Sequence, residues 1–178
     1  MTVIEETAVR IPRTDPLYAE VHDWLDDEAA ILDRNQYAAW EAMLDPEVTY
    51  SAPVRENVYR SEGEGIAEGY GHFQESYSSL KFRVERLSSP MAWAENPFSR
   101  IRRFVTNVRV FKLDADSVQV ESHLLLMRNR SNEAHFDTIP CLREDVLRRS
   151  PEGGLRLFKR RVILDQVTLG TINLSLFL

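Results

Sequence analysis

Apolar residues recur at three-to-four spacing early in the chain. Leu17, Val21, Trp24, Leu25, Ile31 and Leu32 fall on one stripe, the signature of an amphipathic helix. Asp15-Pro16 supplies its start, an N-cap carboxylate followed by proline at the first helical position. Glu28 breaks the stripe, a carboxylate where a leucine would be easier to bury. Tyr37, Trp40, Met43 and Leu44 continue the period into a second helix, which Asp45-Pro46 ends. A short strand follows over 48–54. Gly63, Gly65, Gly69 and Gly71 then read as a flexible, acidic loop, and Phe73, Tyr77, Leu80, Val84 and Leu87 as a third helix.

The period changes in the second half. Stretches 103–113, 117–130, 133–149 and 155–168 are rich in β-branched and aromatic residues. Val118, Val120, Ser122, Leu124 and Leu126 alternate with Gln119, Glu121 and His123, as a half-buried strand requires. The breaks at 114–116, 130–132 and 150–154 have hairpin lengths. Helices followed by hairpin-connected strands predict an α+β fold, with the helices packed on one face of an antiparallel sheet.

Size and composition narrow the function. The 178 residues suit one domain that buries roughly 70% of its unfolded surface. The expected organisation is a mobile arm over residues 1–14 and one domain over 15–178. The single Cys141 rules out an internal disulfide and is too few for an iron–sulfur cluster or a cysteine-based zinc site. No run of 18 apolar residues exists, and Glu5 and Glu6 sit where a signal peptide would be basic. A cytoplasmic location with no membrane partner is the expectation.

The net charge of −6 conceals a division. Residues 1–99 carry 19 acids and 8 bases, and residues 100–161 carry 8 acids and 14 bases. Of the 22 bases 19 are arginine, the residue suited to planar, bidentate pairing at interfaces. The acidic total and the lack of an interleaved aromatic platform argue against nucleic acid.

Catalytic signatures are sparse. His22, His72, His123 and His135 offer no helical metal pair. Cys141 sits in a strand-like segment and reads as an inert thiol. The glycines near Gly65 are interrupted by Glu62, Glu64 and Glu68, which would repel phosphate. One acid–base reading remains: Tyr50 as acid with His123 and Asp137 nearby, the chemistry of a stand-alone dehydratase or isomerase. The densest stretch is WAENPFSRIRRFVTNV at 93–108, where a tryptophan, an Asn-Pro turn and three arginines enter a strand.

That stretch resembles the signature of the β (small) subunit of bacterial aromatic-ring-hydroxylating dioxygenases. The likeness extends to Glu28-Ala29, Leu32-Asp33, Tyr37, Trp40, Tyr50 and Pro53-Val54-Arg55. It continues through Arg83, Arg86-Leu87, Arg143, Asp145, Leu147, Arg148, residues 160–165 and Asn173-Leu174-Ser175, about residues 15–178 in all. The resemblance implies a cone similar to nuclear transport factor 2 and scytalone dehydratase, three helices wrapped on a strongly bent sheet. It also implies a non-catalytic subunit of an α3β3 hexamer that forms cis-dihydrodiols from aromatic rings and dioxygen. A larger α subunit would hold the Rieske [2Fe-2S] cluster and mononuclear Fe(II), fed with NADH electrons through a reductase and ferredoxin. This chain would hold no cofactor, metal or catalytic residue. The expected subunit contacts are Trp93, Asn96, Pro97, Ser99, Arg100, Arg102, Arg103, Asn107, Arg143, Asp145 and Arg148, with Asp26, Asp27, Glu28 and Asp33 as acidic partners across the interface.

Overall fold

A computed structural model describes residues 8–89 and 98–178. Asp15 caps the first helix as its sequence predicts, accepting a 2.9 Å bond from the Leu17 amide. This α1 (Pro16–Asp33) buries Val21, Trp24, Leu25 and Leu32, and buries Glu28 with them. A short α2 (Tyr37–Glu41) turns back beside it, with Tyr37 and Trp40 inside. The third helix, α3 (Tyr77–Ser88), starts at Ser76 and buries Leu80, Val84 and Leu87.

The strands are β1 (Val9–Arg10), β2 (Leu44–Arg55), β3 (Ile66–Ser76), β4 (Arg100–Lys112), β5 (Ser117–Asn129), β6 (Asp137–Arg149) and β7 (Leu155–Leu164). They form one curled sheet in the order β1-β4-β5-β6-β7-β2-β3. Every pairing is antiparallel except β2 with β7, which is parallel, so the sheet is mixed rather than purely antiparallel. Helices lie against the concave face, giving the α+β class that the pattern predicts and the cone that the resemblance implies.

Four local expectations are corrected. The second helix stops at Glu41, because β2 begins at Leu44 and runs through Asp45-Pro46; the Asp45 carboxylate accepts the Glu47 amide at 2.9 Å. Gly69 and Gly71 lie within β3 rather than in a loop. A Cβ on Gly71 would stand 2.4 Å from the Ala52 carbonyl oxygen, so glycine there permits close strand approach. Phe73 belongs to β3, pairing with Ala52, and the third helix starts four residues later.

The fourth concerns the proposed arm. Val9 and Arg10 pair with Lys112 and Phe111, and Ile11 is buried with its amide on the Val110 carbonyl at 2.8 Å. Residues 9–11 are therefore docked, because the free edge of β4 offers unpaired backbone and the core accepts an isoleucine, a burial that contributes about 1.5–3 kcal/mol.

Two bulges decide which strand residues face the interior. In β4, Thr106 pairs with His123 and Arg109 with Glu121, leaving one extra residue, and Asn107 takes a left-handed φ of 55°. Ile101, Arg103 and Val105 point inward before the bulge, Val108 and Val110 after it. In β7 a register shift beside Phe158 sends Leu155 and Leu157 inward, then Arg160, Val162 and Leu164.

Candidate functional site

The interior of the cone is not a plain hydrocarbon core. Four charged side chains meet there, each at most 1% exposed: Glu28 from α1, Arg143 and Asp145 from β6, and Arg160 from β7. Arg160 donates Nη1 to Glu28 Oε1 at 2.7 Å and Nη2 to Glu28 Oε2 at 2.9 Å. Its Nε and Nη2 reach the two Asp145 oxygens at 2.8 Å each. Arg143 Nη1 donates to Glu28 Oε2 at 3.1 Å, and the Trp40 indole donates to Oε1 at 3.1 Å.

Two positive and two negative groups thus balance away from water. Burial opposes ionisation of Glu28, but Arg160 and Arg143 outweigh it and hold the carboxyl at about 2. Burial also opposes the charge on Arg160, and Asp145 with Glu28 reverses that, raising it well above the usual arginine value. Removing one member would leave a buried charge uncompensated, which makes the quartet strict about its members.

Above the quartet lies the chain's own last segment. Leu176, Phe177 and Leu178 are buried although residues 165–178 form neither helix nor strand. Phe177 stacks on Trp40 with ring centroids 4.1 Å apart, and the Arg83 guanidinium lies over it at 4.7 Å. The segment's carbonyls accept from side chains on several elements. Arg83 reaches Leu174 and Leu176 at 3.2 and 3.0 Å, Arg103 reaches Phe177 at 2.6 Å, and Arg160 reaches Leu178 at 3.0 Å. The Tyr50 hydroxyl donates to the Leu178 carbonyl at 2.7 Å and accepts the Leu178 amide at 2.8 Å.

This arrangement sorts the residues singled out in the sequence. Arg103, Arg143 and Asp145 were expected at subunit contacts, but they are buried inside this chain, on the inward register of their strands. Their acidic partners are also internal: Asp33 pairs with Arg103 at 2.8 Å, and Glu28 with Arg143 and Arg160. Ser99 is buried and accepts Arg128 Nε at 3.0 Å. Arg148 is half-buried, held by Asp45 at 2.6 Å and Glu47 at 2.7 Å. Arg100, Arg102 and Asn107 are exposed on the convex side. Trp93, Asn96 and Pro97 lie outside the described residues. Arg160, Arg83 and Phe177 were not picked out as site residues; the register shift in β7 and the absence of regular structure in the tail removed the usual signal.

The stand-alone acid–base reading does not assemble. Tyr50 faces inward with its hydroxyl engaged by Leu178, whereas His123 is exposed on the opposite face beside Asn107, 3.0 Å away. Asp137, at the start of β6, accepts the Thr171 hydroxyl at 2.8 Å. The Cys141 thiol is buried, and burial pushes it up to about 12, far from a thiolate nucleophile. Among the described residues no cluster of three His, Cys, Asp or Glu could hold a metal ion. One cysteine also does not fit a Rieske cluster, which takes two Cys and two His.

The convex face is different in kind. Arg100, Arg102, Phe104 and Thr106 of β4 face out, paired with Asn129, Met127, Leu125 and His123 of β5. Pro140 continues the Phe104–Leu125 row on β6. Phe98, Phe104 and Phe136 are each more than half exposed. Aromatic groups flanked by arginine in this way match the composition of protein interfaces.

Comparisons with known proteins identify the family. A family profile described as the ring hydroxylating beta subunit matches residues 27–171. The benzene 1,2-dioxygenase subunit beta of Pseudomonas putida is 32% identical over 172 residues, covering 93% of this chain and 91% of that protein. A chain in the structure of naphthalene 1,2-dioxygenase with indole bound in the active site superposes with a TM-score of 0.80 at 31% identity, covering 90% of this chain and 84% of that one. A putative scytalone dehydratase from Novosphingobium aromaticivorans, at 14% identity and a TM-score of 0.61 with 84% and 85% of the two chains covered, shares the cone fold alone. The chain belongs to the family of ring-hydroxylating dioxygenase β subunits.

Proposed function

We propose that this chain is a structural, non-catalytic subunit whose convex face holds large oxygenase subunits together in an α3β3 assembly. The observation that carries the reading is the filled cone: Phe177, Leu178 and a paired charge quartet occupy its interior. What remains for work is the outer surface. Arg100, Arg102 and Asn107 border the exposed Phe104 and Leu125 there, and contacts to a neighbouring β copy or to the α subunit fall on these residues. Residues 15–178, with the docked segment 9–11, act as one domain in this reading, seated in the cytoplasm.

The chemistry then belongs to the partner. A large subunit would supply the Rieske [2Fe-2S] cluster and mononuclear Fe(II), with electrons from NADH through a reductase and a ferredoxin. Aromatic hydrocarbons are the proposed substrates and cis-dihydrodiols the products, in keeping with relatives named for benzene and naphthalene. Co-expression with a large Rieske subunit tests the proposal. A single species of hexamer mass, active on aromatic hydrocarbons with this chain alone inactive, is the expected result. Failure to bind any such subunit, together with turnover of a steroid or polyketide-like compound by this chain alone, would overturn it.

A further inference from the structure

The last residues of the chain are held in the manner of a bound peptide. Core segments ordinarily satisfy their backbone within helices or sheets. Residues 174–178 belong to neither, and side chains of the wall serve their carbonyls: Arg83 from α3, Arg103 from β4, Arg160 from β7 and Tyr50 from β2. Phe177 fills a slot between Trp40 and Arg83. The seven described strands meanwhile pair within one sheet, and none of them pairs with the segment. Val167 and Thr168, in the connection that leads to it, are exposed.

We propose that the interior of the cone is a peptide-binding site, occupied by the chain's own residues 174–178, and that this site accepts the same segment as a separate molecule. Its ligand class is an extended apolar peptide with an aromatic residue in the Phe177 slot and carbonyls aligned on Arg83, Arg103 and Arg160. The guanidinium groups supply planar donors that read backbone rather than side chain, so the aromatic slot carries the selectivity.

A protease site inserted between Val167 and Thr168 of the full chain allows the connection to be cut after folding. The cut protein should retain the 168–178 fragment through a sizing column and exchange it for a labelled synthetic 168–178 peptide in a saturable manner. The same peptide with Phe177→Ala should bind at least tenfold more weakly, and Arg83→Ala in the wall should weaken the unaltered peptide comparably. Equal binding of both peptides would overturn the proposal. So would loss of the fragment with no recovery of binding or fold when peptide is added back.

Hydrogen exchange on the uncut, unaltered chain gives a second test that needs no insertion. The Leu178 amide should exchange through a local opening, at least tenfold faster than the central amides of β5 and β6. Exchange of Leu178 only at the rate of global unfolding would make the segment an inseparable part of the core and sink the idea.

Discussion

Arginines on the two faces of β4 occupy adjacent positions and have opposite surroundings. Arg103 points into the cone, where its guanidinium meets Asp33 at 2.8 Å and the Phe177 carbonyl at 2.6 Å. Arg102, one residue away, points out and donates to the carbonyl of Ile101 at 2.8 Å. Arg100, also outward, is held by Asn129 and by the Ser131 carbonyl. The same residue type thus does two jobs. Inside, the guanidinium completes a buried network with a carboxylate and a carbonyl; outside, no carboxylate among the described residues reaches it. Stability and assembly should therefore respond to different arginines.

The comparison breaks hardest at Arg160. Replacing it with alanine takes both of its hydrogen bonds from Asp145 and leaves Glu28 with Arg143 and Trp40 alone, both carboxylates being at most 1% exposed. Loss of one partner of a buried pair costs about 3–5 kcal/mol. Denaturant unfolding of Arg160→Ala should show a loss of that size, while Arg102→Ala stays within about 0.5 kcal/mol of the parent. Equal, small effects at both positions would erase the distinction.

Acid gives the next largest effect. Glu28 is held at about 2 in the folded chain against an ordinary 4.5. A depressed carboxylate contributes stability above its unfolded value, and that contribution disappears as pH falls from about 4.5 to about 2. At 1.36 kcal/mol per unit, the contribution at stake is roughly 3 kcal/mol. Unfolding free energy followed from pH 6 to pH 2 should decline across that window, and Glu28→Gln should flatten the part of the decline due to this group. An unchanged slope in the variant would assign the acid sensitivity elsewhere.

Parts of this division are legible in the sequence. Glu28 stands out on its helical stripe, and Arg143 and Asp145 share the parity of Ile139, Cys141 and Leu147. Charged residues at core parity have two explanations, an interface or an internal pair, and local pattern does not distinguish them. The partner that decides is 115 residues away in the case of Glu28 and Arg143. Arg160 was harder to see: strict alternation from Leu157 sends Lys159 inward, and only the register shift reverses this. Asn107 shows the same mechanism: strict alternation from Val105 would send it inward, and the bulge in β4 turns it outward. The tail's role had no periodic signal at all, because its backbone is satisfied by side chains from distant strands.

On the convex face, Phe104→Asp should leave the chain's own unfolding nearly unchanged, because the ring is 52% exposed, with surface substitutions usually within about 0.5 kcal/mol. Its effect belongs to assembly. A carboxylate placed in the Phe104–Leu125–Pro140 row would have to be desolvated on association, so co-purification with the large subunit, or self-association of this chain, should be lost on a sizing column. A normal complex would move the interface away from this row.

The smallest expected effect is also the most discriminating. Arg100→Ala and Arg102→Ala should fold as the parent does, because neither guanidinium reaches a carboxylate within its own chain among the described residues. Rim charges act mainly on association rate and on salt dependence. The pair of substitutions should therefore slow assembly and flatten its sensitivity to ionic strength, while the final complex keeps its size at high protein concentration. Arg103→Ala makes the contrast: it should lower stability through Asp33 and the tail, with assembly affected only through folding. If Arg100→Ala and Arg102→Ala assemble at the parent rate at every salt concentration, the outward arginines are solvated charges and the apolar row alone defines the contact.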